Sequence, residues 1–363
     1  MTTSPRAAMR PLADGRLALL TGLSLVVILG IGLLPTLLRE QTRDWIAYEQ
    51  AAERLAAGQP LYVFTLATPD DEYYLYPPLA AAVWAAIGSP AGLLGLKLAA
   101  LASVGVLAVV VEPAADRRRR WAVAIALAVA AIVAAPDLHD LILANVMALY
   151  VGAVAVSLAR PGWLGSSVLG IVVAAALKPV IGPYLLWLAL RRRGDFLRTM
   201  VVALVASALC AIVIGPGRYL EYLVALPKMS VLADLPTGNV GLSTISRELA
   251  LVGVLVAYVL TVVAALRLDL RRAAAVAIAA GLLAQPAIGF NYAGLLLPAV
   301  IILWAGNRAA GFVASLAVPI VTVISPPIAA VIVIGLAFLA PDQTPASARQ
   351  AAVDPKASGE TGT

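Results

Sequence analysis

One apolar run limits what this chain can fold into. Residues 17–38 contain no charged side chain. A helix of about 20 such residues crosses the hydrocarbon core of a bilayer. Similar segments follow along the chain, which is 62% hydrophobic and only 13% charged, whereas a soluble domain is roughly a quarter charged. The sequence therefore predicts an all-α protein that crosses a membrane several times.

We expect about 12 membrane helices, which together form one domain over residues 17–340. Four segments are long enough to span, and eight are short or interrupted by proline or a polar residue. Broken helices are tolerated at membrane depth where they are buried in protein or line a cavity, so an internal site is expected. The long segments are 17–38, 91–111, 199–215 and 249–266, and the short ones are 121–135, 142–159, 163–177, 180–190, 273–288, 293–305, 309–324 and 327–340.

Both ends of the chain are expected in the cytosol. The run 17–38 is longer than the apolar region of a signal peptide, and no small-residue cleavage pattern follows it. We therefore expect it to stay as an anchor behind a cytosolic segment, 1–16. Residues 341–363 lack aromatic residues and are rich in alanine and polar residues, which predicts a disordered cytosolic tail.

Arginine and lysine predict the orientation, because they accumulate in cytosolic loops. With twelve crossings and a cytosolic start, most of the 26 basic residues face the cytosol, and most carboxylates face outward. The net charge of +6 is thus explained by loops and does not indicate a nucleic-acid surface. The two long loops, about 39–90 and 215–248, face outward in a plasma membrane, so any chemistry is expected there.

Several classes of site are disfavoured. The chain has one cysteine, Cys210, which excludes an intrachain disulfide and a paired-cysteine metal site. The single histidine, His139, argues against a histidine-based metal site. Neither a P-loop nor a dinucleotide fingerprint is present, and we expect no metal and no cofactor.

The first outer loop begins with an amphipathic helix, predicted from Trp45 to Ala57. Trp45, Tyr48, Ala52 and Leu55 share one face. Glycine and proline then end the helix, which could lie in the membrane interface. Asp44 stands at its start, where it could be an N-cap, a general base at the bilayer surface, or both.

Three short stretches of this loop resemble the first-loop pattern of glycosyltransferase family 87. They are D-W-I-A-Y from Asp44, G-Q-P-L-Y from Gly58 and Y-P-P-L from Tyr76. Two later stretches are similar to that family as well: A-L-K-P-V from Ala176, before a basic turn, and N-V-G-L-S-T-I-S-R from Asn239. The likeness extends over roughly residues 17–340.

The resemblance implies a GT-C-like fold and a reaction. Such enzymes transfer a hexose, usually mannose, from a polyprenyl-phosphate donor to a hydroxyl of a glycolipid or glycan outside the membrane. The transfer inverts the anomeric configuration. The family includes mannosyltransferases that extend phosphatidylinositol mannosides. Asp44 would be the base. Donor-phosphate contacts would come from Lys178, Arg247 and Arg43. Substrate contacts would come from Tyr48, Tyr62, Tyr76, His139, Asn145, Asn239 and Asn291, of which Asn145 and Asn291 stand where the family often has glutamine and histidine.

Each of these residues also has a plainer explanation. Lys178, at a helix break, could face a phosphate or extend its charge to the interface. Arg247 could bind phosphate or merely lie at the outer end of its helix. His139 could contact acceptor hydroxyls or simply be solvated, and the tyrosines could form an interfacial belt.

A transporter or flippase is the competing functional class. Broken helices and polar groups at membrane depth also occur in secondary transporters. Against this, no matched halves are visible in the sequence, and the charges gather in loops and not inside helices.

The orientation can be tested by cysteine labelling in intact cells. Cysteines introduced at Ala67 and at Thr237, in the two long loops, should react with an impermeant thiol reagent. A cysteine at Ala115 should be protected, because its loop faces the cytosol. Protection of both outer positions together with labelling at Ala115 would contradict the orientation.

Overall fold

The computed structural model describes residues 43–64, 73–88, 147–232, 241–285, 290–306 and 325–340, with short stretches within 92–98 and 310–321. These residues form helices, and none of them lies in a strand. The α-helices are α1 (Arg43–Ala56), α2 (Pro78–Ile87), α3 (Met147–Ala159), α4 (Trp163–Ala176), α5 (Gly182–Arg191), α6 (Arg193–Ile214), α7 (Gly217–Leu232), α8 (Arg247–Arg267), α9 (Leu270–Ala284), α10 (Leu296–Gly306) and α11 (Pro326–Leu339). Single 3-10 turns lie at Pro179–Ile181, Leu242–Thr244 and Phe290–Leu295.

Helix α9 lies at the centre of the bundle. Every residue from Ala273 to Ala284 is buried, and most are alanine. Small side chains let neighbouring helix backbones approach closely. Accordingly, α5, α8, α10 and α11 all pack around α9.

Within the described ranges, two helices, α6 and α8, are long and apolar enough to cross a membrane. Only 11% of the most apolar part of α6 and 33% of that of α8 is buried. A core helix of a soluble protein would be mostly buried, whereas here Leu204 and Val213 of α6 are 71% and 82% exposed. These faces suit contact with lipid.

The other expected spans have mixed outcomes. Helices α3, α4 and α11 are apolar but shorter than a full crossing, as the broken segments predicted. The segments 17–38 and 121–135 lie outside the described residues, as do the N-terminal segment and the tail. The structure therefore confirms the all-helical class, while the number of twelve crossings stays a prediction.

Arginine side chains gather at one end of the bundle, where they bind the carboxyl ends of helices. Arg192 donates to the carbonyl of Ser157 at 3.2 Å, near the end of α3. Arg191 donates to the carbonyls of Ala265 and Leu268 at the end of α8. Cations are favoured there because the terminal carbonyls lack helical partners.

The opposite end holds the first loop and α7. Helix α1 packs against α2 and begins at Arg43, two residues earlier than predicted. Asp44 lies within the helix and not before it, so the N-cap interpretation does not hold. The buried face is centred on Tyr48 and Ala51, not on Ala52, which is only partly buried.

Helix α7 was not predicted, because residues 215–248 were interpreted as a loop. Its inner face buries Tyr222 and Ala225, and its outer face exposes Leu220, Leu223 and Val224. Arg218, Glu221, Pro227 and Lys228 interrupt its apolar residues, which explains why no apolar run in the sequence indicated a helix.

Candidate functional site

The break between α4 and α5 positions a lysine at the first-loop end of the bundle. Helix α4 ends at Ala176, and Lys178 is extended, with φ −135° and ψ 151°. Pro179 opens the following 3-10 turn and disfavours helical geometry in the residue before it. The predicted break is therefore present, and Lys178 stands on it.

Two tyrosine hydroxyls hold the Lys178 ammonium. Its Nζ donates to the hydroxyl of Tyr76 at 2.9 Å and to that of Tyr292 at 2.8 Å. The same nitrogen lies 4.3 Å from the centre of the Tyr76 ring and 5.2 Å from that of Tyr292, close enough for cation–π attraction. We call Lys178, Tyr76 and Tyr292 the lysine–tyrosine cluster. An ammonium has three donors, and the two tyrosines take two of them.

Hydrogen bonds within the first loop fix the position of Tyr76. The Tyr62 hydroxyl donates to the carbonyl of Tyr76 at 2.8 Å. The Tyr74 hydroxyl donates to the carbonyl of Pro77 at 2.7 Å and accepts from the Ala81 amide at 2.9 Å. The Y-P-P-L stretch is thus tied to the start of α2, and the Tyr62 hydroxyl supports the backbone of Tyr76, while the substrate contact of Tyr62 stays a prediction.

Helix α1 meets the same cluster through Tyr48. The Tyr48 ring is fully buried, and its centre lies 5.0 Å from the Tyr76 ring. Residues four apart share a face of an α-helix, so the backbone of Asp44 lies one turn from Tyr48 on that face. The first loop thereby brings the position of the predicted base towards the lysine–tyrosine cluster.

Helix α7 closes another side of the first loop. The Leu61 amide donates to the carboxylate of Glu221 at 3.3 Å, which also pairs with Arg218 at 3.0 Å. The ring centres of Tyr62 and Tyr222 are 5.7 Å apart. Burial raises the pKa of Tyr222 to about 12, although the nearby Lys178 charge opposes this shift. Tyr222 therefore stays protonated at neutral pH.

The remaining predicted residues have different outcomes. Arg247 is exposed at the start of α8, and within the described ranges no hydrogen bond or ion pair connects it to Lys178. The backbones of Arg43, Asp44 and Asn291 lie in α1 and in the turn Phe290–Leu295, but their side chains are outside what the structure describes. His139, Asn145 and Asn239 also lie outside the described residues.

Tyr292, Tyr222 and Glu221 were not predicted as site residues from the sequence. Tyr292 is adjacent to the predicted Asn291, yet a tyrosine near a membrane surface usually indicates only an interfacial belt. Its hydrogen bond joins residues 114 positions apart, and no local pattern shows such a contact.

The site combines the ammonium of Lys178, the aromatic rings of Tyr48, Tyr76 and Tyr292, and the carboxylate of Glu221. Glu221 belongs to α7, whose outer face exposes apolar side chains. A cation so placed can stabilise an anion such as a phosphate group, and aromatic faces can pack on a sugar or an isoprenoid chain. In comparisons with known proteins, no family model, no curated protein and no solved structure matches this chain.

Gly281 of α9 should be required for this arrangement. A Cβ at this position would overlap the carbonyl oxygen of Val180, in the 3-10 turn that follows Lys178. We expect Gly281→Ala to destabilise the purified protein by about 1–3 kcal/mol, as overpacking does, and to lower its unfolding temperature in detergent. Gly335→Ala in α11 is the matched control, because nothing lies within 4 Å of its added carbon. An unchanged unfolding temperature for Gly281→Ala would contradict the close packing of the turn on α9.

Proposed function

We propose that this protein is an integral-membrane glycosyltransferase. It moves a hexose, expected to be mannose, from a polyprenyl-phosphate donor to a hydroxyl of a glycolipid or glycan at the outer face of the plasma membrane. The lysine–tyrosine cluster is the observation that supports this function best. It sets a partly buried cation at one end of an apolar bundle, beside the loop that resembles glycosyltransferase family 87.

The cluster suits the phosphate of a lipid donor. A lysine at membrane depth is costly unless it faces a cavity or a partner, and here its hydrogen-bond partners among the described residues are two tyrosine hydroxyls and not carboxylates. These hydroxyls orient the ammonium without neutralising it. A phosphate would supply the opposite charge, and the lysine would stabilise the negative charge that grows on the departing polyprenyl phosphate.

The proposed base is Asp44. Its backbone lies one helical turn before Tyr48 in α1, and the Tyr48 ring packs on Tyr76 of the lysine–tyrosine cluster. This placement supports a mechanism in which base and cation act on one substrate. The acceptor oxygen forms a bond to the anomeric carbon while the carbon–oxygen bond to the phosphate breaks and its electron pair leaves with the phosphate. The acceptor proton passes to the Asp44 carboxylate. Because phosphate is a good leaving group, this step needs no second acid, and attack from the opposite face inverts the anomeric centre.

A transporter is the second candidate, favoured by the helix break at Lys178. Discontinuous helices that place polar groups near a substrate also occur in transporters. The two functions differ in what they require, since transport needs two compartments and group transfer does not. Transfer of labelled sugar by the purified protein in detergent micelles would support the enzyme.

Replacing Asp44 by asparagine should nearly stop transfer while the protein stays folded. Aspartate and asparagine have similar shape and helix propensity, but asparagine cannot take the proton. General-base help is worth roughly 10²–10⁴-fold, so the transfer rate of Asp44→Asn should fall by about that factor. Rates would be measured with purified protein and a polyprenyl-phosphate sugar donor.

Glu53→Gln and Glu49→Gln are the matched controls, since both residues lie on the same helix. Glu53 is exposed and is the cleaner of the two. If Asp44→Asn retains more than about a tenth of the wild-type transfer rate, Asp44 is not the base, because the loss is then smaller than the effect of a general base. The search would then move to Asp70, Asp71, Glu72, Asp137 and Asp140, which lie outside the described residues.

Lys178 and Arg247 should differ in importance. Removing one positioned group that stabilises developing charge costs about 10²–10³-fold in rate, and we expect Lys178→Ala to show a loss in that range. Arg247→Ala should lose less, because its exposed side chain has no described partner that orients it. Both are measured at equal levels of folded protein. Wild-type kinetics for Lys178→Ala would show that this lysine is only an anchor.

A further inference from the structure

Two short turns meet at the arginine end of the bundle, far along the helices from the lysine–tyrosine cluster. One joins α3 to α4 and the other joins α5 to α6. The Gly162 amide donates to the Asp195 carboxylate at 2.9 Å, and the Ser166 hydroxyl donates to the Asp195 carbonyl at 3.2 Å. The two turns therefore form one connected surface.

That surface is strongly positive. Between residues 157 and 200 at this end, five arginines stand against a single carboxylate, that of Asp195. Asp195 pairs with Arg192 at 2.5 Å and with Arg198 at 3.0 Å. The five arginines are Arg160, Arg191, Arg192, Arg193 and Arg198.

Two of these arginines remain available to a ligand. Arg191 and Arg192 bind helix carbonyls. Arg160 and Arg193 are exposed, and no described residue forms an ion pair with either of them. Their charges are therefore not compensated within the described part of the chain.

An apolar stripe runs from this surface along α6. Arg193, Leu197 and Val201 are spaced four residues apart, so they share one helix face, and Leu197 and Val201 are 61% and 51% exposed. Trp163, which is 63% exposed, lies beneath Arg198, whose guanidinium carbon is 5.7 Å from the ring centre. Exposed tryptophan beside arginine is typical of the membrane–water boundary.

We propose that Arg160 and Arg193 bind the headgroup phosphate of an anionic phospholipid, whose acyl chain packs on Trp163 and along Leu197 and Val201. Charge complementarity selects an anion, and the adjoining apolar stripe selects a lipid over a soluble phosphate. The proposal requires that α6 contact lipid, but it does not depend on the glycosyltransferase function.

Thermal unfolding of the full-length protein in detergent tests this site. Phosphatidylglycerol should raise the unfolding temperature of the wild-type protein by several degrees more than an equal amount of phosphatidylcholine. The double variant Arg160→Gln/Arg193→Gln should lose most of that difference. The matched control is Arg267→Gln/Arg271→Gln, which removes the same charge at the same end of the bundle. This control should keep the difference in unfolding temperature between the two lipids. Native mass spectrometry should show fewer bound phosphatidylglycerol molecules for the first double variant only.

Three results would overturn the proposal. The two lipids could stabilise the wild-type protein equally, the two double variants could lose the lipid effect equally, or inorganic phosphate could reproduce the stabilisation. If Arg160→Gln/Arg193→Gln does not fold in detergent, the single variants Arg193→Gln and Trp163→Ala serve in its place. Retention of the full lipid difference by both single variants would likewise refute the site.

Discussion

The ammonium group of Lys178 joins three parts of the chain that are distant in sequence. Its two hydrogen bonds connect the α4–α5 break to Tyr76 of the first loop and to Tyr292 before α10. A charged group in apolar surroundings requires such partners, because leaving it without them costs far more than one hydrogen bond contributes. The requirement to satisfy this one charge therefore organises the end of the bundle where the proposed chemistry takes place.

The central helix makes that arrangement possible. Because α9 presents mainly alanine and one critical glycine, the turn that follows Lys178 can lie directly against its backbone. Larger side chains would push the turn outward and move the lysine away from the tyrosines. The outer helices show the opposite pattern, with leucine and valine exposed on α6 and α8. Small residues inside and large apolar residues outside are expected when the solvent is lipid, since packing and not hydrophobic exclusion holds the helices together.

The two ends of the bundle use positive charge in different ways. At one end, arginines bind helix carbonyls and form a positive surface at the boundary of the apolar stripe. At the other, the Lys178 ammonium lies against the rings and hydroxyls of Tyr76 and Tyr292. Arginine suits the first role because its several donors can satisfy more than one carbonyl, whereas lysine suits the second as a compact point charge.

The sequence by itself determined the helical class, the break at Lys178 and the amphipathic helix before Gly58, because hydrophobic periodicity and proline act locally. It also identified Tyr48 and Tyr76, although not their partners. Only the tertiary structure decided that Tyr292 binds the Lys178 ammonium, that Tyr62 donates to the carbonyl of Tyr76, and that α7 packs on the first loop through Tyr222 and Glu221. It also showed that the side chain of Arg247 is exposed. Two of these contacts join residues more than a hundred positions apart, and such contacts are set by how helices pack and not by the pattern within any one of them.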